Sequence, residues 1–233
     1  MEYDIQEIIG QLREPLEADV KIIEKAYNFA KNVHEGQERF SGKPYFSHPF
    51  ETAKILASLH LDAVTIAAGL LHDIIEDTST TEKEIRKEFG EEILGLIKGA
   101  TKLGKLKYSG VERHVENLRK LFLAMAKDIR VILIKLADRL HNMQTLQYVR
   151  EEKRKRIALD TFEIYVPIAN RLGMGYFKGE LEDLVFPYLH PDEYKIVKKI
   201  SKEKIKEGDK ILLKLKHKVE TELEKEGVKP ISI

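Results

Sequence analysis

The sequence predicts an all-α helical bundle followed by a charged connector helix, and three observations carry that expectation. Apolar residues recur at helical spacing along almost the whole chain. No segment shows the strict alternation of a half-buried strand. The breaks between periodic stretches are short, as in bundles whose helices pack against their chain neighbours. The 233 residues are 42% hydrophobic, ample for a core, and 40 basic against 39 acidic side chains give a formal net charge of +1. That balance supplies no global attraction to nucleic acid or to an acidic membrane surface, and neither is expected as a partner. The chain has no cysteine, so disulfides and thiolate metal sites are excluded and any metal must use His, Asp, Glu or water. No apolar run reaches the length of a membrane span, and MEYDIQEIIG lacks the basic start and apolar core of a signal peptide. A soluble cytoplasmic location is expected.

Ile22, Ile23, Ala26, Phe29 and Ala30 form the first apolar stripe, and Phe50, Ala53, Ile55, Leu56 and Leu59 the second. From Val64 to Ile75 the chain is nearly all apolar. Thr80 or Thr81 followed by Glu84 reads as an N-cap with a first-turn acid, opening a short helix that ends near Phe89-Gly90. Further helices are expected over 91–99, 114–126, 128–147, 153–171 and 177–189, with breaks at SGKP (41–44), TKLGKLKYSG (101–110) and RLGMG (171–175). From Asp192 the character changes. Only a narrow stripe (Ile211, Leu215, Val219, Leu223) survives on a heavily charged helix, which reads as a solvated arm or linker because acids interrupt its lysines.

The chemistry concentrates in GLLHDIIEDT, Gly69 to Thr78. On a single helix, His72, Asp73, Glu76 and Asp77 share one arc, opposite Leu70, Leu71, Ile74 and Ile75. Gly69 and Thr65 precede that arc on the same side. A glycine inside a helix costs about 1 kcal/mol relative to alanine, so Gly69 suggests that something approaches the backbone there. Three carboxylates in two turns repel one another and resist burial, and a bound cation relieves both problems. Taken alone, a His-Asp pair on a helix is more often than not an exposed acidic face with a satisfied histidine. Two other segments shift the balance. In YFSHPFETAKIL, His48 stands before Pro49 at a helix start. In IRVILIKLADRLHNMQTLQ, Asp138 interrupts a very apolar helix, sharing a face with Lys135, Asn142 and Thr145, with His141 beside it. An ion pair with Arg139 or another neighbour is the plain alternative for Asp138, a device that stability alone seldom justifies. His48, His72, Asp73 and Asp138 together make a nitrogen-and-oxygen donor set suited to Mn²⁺ or Fe²⁺, with Zn²⁺ compatible.

RFSGKPYFSHP, GLLHDIIEDT, TKLGK, KDIRVILIKLADRLHNMQTL and FEIYVPIANRLGMGYFKGELEDLVFPYL occur in this order. Over about residues 20 to 190 they resemble the HD-type hydrolase domain of the RelA/SpoT alarmone enzymes, which is far more specific than an H…HD…D pattern. The resemblance implies an all-α HD bundle and Mn²⁺-dependent cleavage of the nucleotide (p)ppGpp at its 3′ position, giving pyrophosphate and GDP or GTP. It implies His48, His72, Asp73 and Asp138 as metal ligands, and Glu76 and Asp77 as the acidic pair that activates water. Arg39 and Ser41, Asn142 and Thr145 match substrate-pocket positions, and lysines of the 101–107 loop, Lys102 and Lys105 among them, are weaker phosphate contacts. Phe40 stands where the family commonly has a basic residue, Gln144 where it often has arginine, and Asn170 where histidine is typical. On this reading residues 1–190 form the hydrolase domain. Residues 191–233 form a connector toward a synthetase domain absent from the chain, which is then a fragment of a longer bifunctional enzyme. A different HD nucleotide phosphohydrolase, or a module that binds (p)ppGpp or metal without turnover, are the rival readings. The SGKPY loop and DRLHNMQTL segment argue against the first, and the intact Glu76-Asp77 pair against the second.

Overall fold

The computed structural model describes residues 3–104 and 127–225. The expected helix at 114–126, most of the lysine-rich break with Lys105, and the tail from 226 lie outside the described residues. Among the described residues the structure is helical, with no strand and one isolated bridge between Glu38 and Pro44. The chain divides into two compact units, Met1–Val185 and Phe186–Ile233.

In chain order the helices are α1 (Gln6–Ile9), α2 (Glu17–Val33), α3 (Ser47–Ser58), α4 (Ala63–Leu71) and α5 (Ile74–Asp77). They continue with α6 (Glu82–Gly104), α7 (Arg130–Gln144), α8 (Glu151–Asp160), α9 (Val166–Arg171), α10 (Gly175–Leu189) and α11 (Pro191–Lys225). Helix α4 is the centre of the first unit, packed by α2, α3, α6 and α7. Its sequence AVTIAAGLL is buried at every position except Val64, as befits a helix enclosed on all sides. Asp62 caps it: its carboxylate accepts from the Thr65 backbone N–H at 2.9 Å and the Thr65 hydroxyl at 2.7 Å. Thr65 is therefore a capping partner and not part of the charged arc.

Three expectations need revision. Gly69 does admit a close approach, but by α3: a Cβ there would collide with the Leu56 side chain. The charged arc does not lie on one helix either. Helix α4 stops at Leu71, His72 and Asp73 form a turn, and α5 restarts at Ile74. The turn is held by the His72 ring, whose Nδ1 bonds the Gly69 carbonyl at 2.8 Å. The stretch 153–171 contains a wide turn at Thr161–Tyr165 between α8 and α9. There the Thr161 hydroxyl bonds back to the Ile157 carbonyl at 2.7 Å. The Phe89-Gly90 boundary stands, because Gly90 at φ 82° breaks α6 into two segments.

The second unit is dominated by α11. Ile211, Leu215 and Val219 of its narrow apolar stripe are all exposed.

Candidate metal centre

Two helix ends and the middle of a third helix deliver the donors. His48 sits in the first turn of α3, where Pro49 costs no hydrogen bond that the helix would otherwise make. His72 and Asp73 occupy the turn between α4 and α5, and Asp138 projects from the middle of α7. His48, His72 and Asp138 are buried, and one donor atom from each lies within 4.8 Å of the others. His48 Nε2 is 3.1 Å from Asp138 Oδ1 and 3.4 Å from Asp73 Oδ2. His72 Nε2 is 3.1 Å from Asp73 Oδ1 and 3.8 Å from Asp138 Oδ1. Despite these distances, His72 Nε2 is fully buried without a well-aligned hydrogen-bonding partner among the described residues. An orphaned ring nitrogen beside two carboxylates is costly unless a cation completes it, so these donors fit a divalent ion. All four residues that the sequence put forward as ligands therefore meet here.

The charges are set by burial and by one another. Burial pushes the Asp138 carboxyl up, but Lys135, His48 and His72 outweigh it and hold the group well below the usual carboxylate range. Asp73 is likewise held down, against burial, by His72 and His48. For His72 burial opposes the charge, yet Asp73 and Asp138 raise the imidazole to about 10. His48 moves the other way, lowered chiefly by burial. Both carboxylates are thus ionised at neutral pH in the absence of metal, and one of the two imidazoles is protonated.

A surrounding set of side chains holds these groups. Lys135 Nζ, itself buried, donates to Asp138 Oδ2. Asn142 Nδ2 donates to Asp138 Oδ1 at 2.5 Å. Asn142 Oδ1 in turn accepts from Arg39 Nη2 at 2.9 Å. The Tyr45 hydroxyl reaches Asp77 Oδ2 at 2.5 Å and Asp73 Oδ2 at 3.2 Å. Burial, then Asp73, pushes that phenol upward, so it stays a donor. His141 Nδ1 lies 2.6 Å from His48 Nδ1 and 3.3 Å from Arg39 Nη1. Asp138 thus pairs with Lys135 and not with Arg139, which lies over the Tyr165 ring at 4.3 Å.

A pocket of about 150 Å³ adjoins the centre, lined by Arg39, Phe40, Ser41, Asn142, Thr145 and Tyr148 among others. All four residues expected to bind substrate therefore line one cavity. Arg39 and Asn142 belong both to its wall and to the shell around Asp138. Thr145 bonds the His141 carbonyl at 3.0 Å, which fixes its rotamer at the end of α7. Phe40 is 77% exposed at the rim. Gln144 and Asn170 are exposed and are not among the residues lining the pocket. Glu76 and Asp77 sit on α5 with exposed side chains, Asp77 tied to the centre through Tyr45. Tyr45 and His141 had no role in the sequence reading. Their signal was only positional, Tyr45 three residues before His48 and His141 three after Asp138.

The HD domain family matches residues 26–175. A guanosine-3′,5′-bis(diphosphate) 3′-pyrophosphohydrolase of Aquifex aeolicus is 48% identical over 98% of this chain and 32% of its own length. A GTP pyrophosphokinase of Myxococcus xanthus is 49% identical over 91% of this chain and 28% of its own. The bifunctional (p)ppGpp synthase/hydrolase SpoT of Escherichia coli is 45% identical over 91% and 30% respectively. The chain thus spans about a third of the length of the curated relatives it matches. Among solved structures, a metazoan ortholog of SpoT that hydrolyzes ppGpp superimposes with a TM-score of 0.56 at 25% identity. That match covers 75% of this chain and 96% of the other. No described helix is long and apolar enough to cross a membrane.

Proposed function

Since the chain belongs to the HD domain family, we propose that it hydrolyses (p)ppGpp at the 3′ position, with Mn²⁺ as its ion, releasing pyrophosphate and GDP or GTP. The observation that carries this is a shared wall. Arg39 and Asn142 line the pocket and also reach the shell of Asp138, so a nucleotide held there presents a phosphate to the ion site. The relatives support the choice of nucleotide, since three of the four proteins compared are named for acting on (p)ppGpp. In the longer parent chain a synthetase domain would follow in cis.

His48, His72, Asp73 and Asp138 hold the ion in this reading. When bound, it supplies Lewis acidity, polarising a phosphate oxygen and making a nearby water more acidic. Glu76 and Asp77 orient that water and take its proton as its oxygen bonds to phosphorus and the bond to the 3′ oxygen breaks, and the proton passes on to that oxygen to give the 3′ hydroxyl. The Tyr45 hydroxyl fixes one oxygen of Asp77, which leaves the other oxygen of that carboxylate to face the water. Arg39 is the phosphate clamp, a planar donor suited to a phosphate oxygen. Asn142 and Thr145 hold the nucleotide. A guanine site built on polar contacts leaves those groups unpaired with the wrong base, so discrimination is strong.

Chromatography of products after incubation with ppGpp and Mn²⁺ tests the proposal. Intact pyrophosphate with GDP is expected, and the adenosine analogue should be a much poorer substrate. Stepwise release of single phosphates, or no turnover by metal-loaded protein, would overturn it. Elemental analysis should find about one ion per chain, lost in His48→Ala and Asp73→Ala.

A further inference from the structure

Two ring nitrogens in this centre must each keep a lone pair for the ion, and something must hold the proton on the opposite nitrogen of each ring. A neutral imidazole carries its proton on either nitrogen, and the bond made by one decides what the other can do. For His72 the arrangement is the common one, in which Nδ1 donates to the Gly69 carbonyl and Nε2 is left for a metal. Among the described residues no carbonyl or carboxylate bonds His48 Nδ1. It faces a second histidine instead, with His141 Nδ1 at 2.6 Å and the two rings stacked at 4.9 Å, 21° apart.

Between two Nδ1 atoms only one proton can sit, and Arg39 decides which ring has it. The guanidinium is a donor without an acceptor, and its Nη1 lies 3.3 Å from the same His141 Nδ1. A proton on that nitrogen, given to His48 Nδ1, would leave the Arg39 N–H facing a nitrogen with no lone pair to offer. His141 Nδ1 therefore accepts, from Arg39 and from His48 together. His48 Nδ1 is the donor, and its Nε2 lone pair is turned toward Asp138 and Asp73, 3.1 and 3.4 Å away. We propose that His141 is a positioning residue, the acceptor that, with its own Nδ1 kept proton-free by Arg39, locks His48 in the tautomer whose Nε2 can bind the ion. His141 is buried at 6% exposure and sits one turn from Asp138 on α7, so the helix that supplies a ligand also orients another one. The site's order thus depends on a side chain at His48 and on a backbone carbonyl at His72, and only the first can be removed by substitution.

This inference rests on the metal reading above for its consequence but not for its observation, which concerns protons in the metal-free chain. Long-range ¹H–¹⁵N correlation spectra of ¹⁵N-histidine protein, metal-free and at mildly alkaline pH, report the tautomer of each ring. The wild type should show His48 protonated on Nδ1 alone and His141 on Nε2 alone. In His141→Leu the His48 pattern should become mixed, and Mn²⁺ affinity should fall about 10- to 100-fold, the usual effect of losing such a supporting partner. His141→Asn, whose side-chain oxygen takes the place of Nδ1, should restore both the His48 pattern and the affinity. A purely structural histidine would lower thermal stability in both variants without touching the His48 tautomer. A wild-type His48 protonated on Nε2, an unchanged His48 pattern in His141→Leu, or equal affinity loss in Asn and Leu would overturn the proposal. If His141→Leu does not fold, Arg39→Met serves in its place, with a mixed His141 pattern expected and an unchanged one refuting. Wild-type protein that takes up no Mn²⁺ would sink the metal reading while leaving the tautomers legible.

Discussion

Replacing Lys135 by methionine removes the only lysine or arginine that the described residues place in direct contact with Asp138, and its effect can be sized from the structure. Methionine keeps the length and apolar stem, so packing is nearly preserved. The carboxylate is left buried at 5% exposure with Asn142 as its remaining close donor and His48 beside it. Breaking a buried pair in this way costs about 3–5 kcal/mol. A second route limits the loss: the carboxyl can take up a proton, which at pH 7 costs about 4 kcal/mol from an unperturbed pKa near 3.9. The two figures agree. With about 2–4 °C per kcal/mol for a domain of this size, the metal-free variant should melt roughly 8–16 °C below wild type.

The sign with pH follows. The folded Asp138 is held below its ordinary value, so its stabilising contribution is present above the unfolded pKa and is lost as pH falls. The protonation ceiling shrinks to about 1.5 kcal/mol at pH 5, and the gap in melting temperature should narrow accordingly. Saturating Mn²⁺ should narrow it too, since the ion takes over the role of partner to Asp138. Differential scanning calorimetry at pH 5 and 7, with chelator and with Mn²⁺, gives all four numbers. An unchanged melting point at pH 7 without metal would refute the reasoning, as would a gap that is the same in all four conditions.

Glu76→Gln should keep Mn²⁺ and lose turnover by roughly 10²–10⁴-fold, because an amide takes no proton; near-normal rates in both Glu76→Gln and Asp77→Asn would show that the water needs another base. Mn²⁺ affinity should rise about tenfold per pH unit from about 6.5 to 8.5, since the ion displaces one proton from His72, which Asp73 and Asp138 raise to about 10 against burial. That window lies above the ordinary histidine value and below the raised one, and equilibrium dialysis giving a flat profile would contradict it. Gly69→Ala should lower stability by about 1–3 kcal/mol, because the new methyl displaces Leu56 on the helix that carries His48. The gain of about 1 kcal/mol from helix propensity offsets part of this, and a thermal melt at or above wild type would show that α3 simply yields.

The parts of the site legible in the sequence are those governed by spacing along one helix. Lys135 lies three residues before Asp138 and so shares its face, while Arg139, the adjacent residue, points elsewhere; the pairing follows from helical geometry. Asn142 and Thr145 extend that face to the pocket for the same reason. What periodicity does not carry is contact between helices. The His48–His141 bond joins residues 93 apart and Tyr45 reaches Asp77 across 32 positions, with no local pattern that marks either partner. Gly69 misled for a related reason. Its small size answers to Leu56, a residue of another helix, and nothing in GLLHDIIEDT distinguishes that from an approaching ligand. The turn at His72 and Asp73 is hidden as well, because it depends on a side chain competing for a carbonyl that a regular helix would use.

The charges explain why such a centre can fold before it holds an ion. Asp73 and Asp138 place two negative charges together in the core, and alone they would be forced to protonate. Lys135 supplies one positive charge, and His72, raised by the carboxylates themselves, supplies a second. The metal-free cluster is therefore close to neutral by means of the chain's own groups. Binding a dication and expelling the His72 proton adds one net positive charge beside Arg39, facing the pocket. A polyanionic nucleotide then meets more positive charge than the metal-free protein offers. On the proposed function, the order in which ion and substrate assemble is thereby set by His48, His72, Asp73 and Asp138, with Lys135 setting the starting charge.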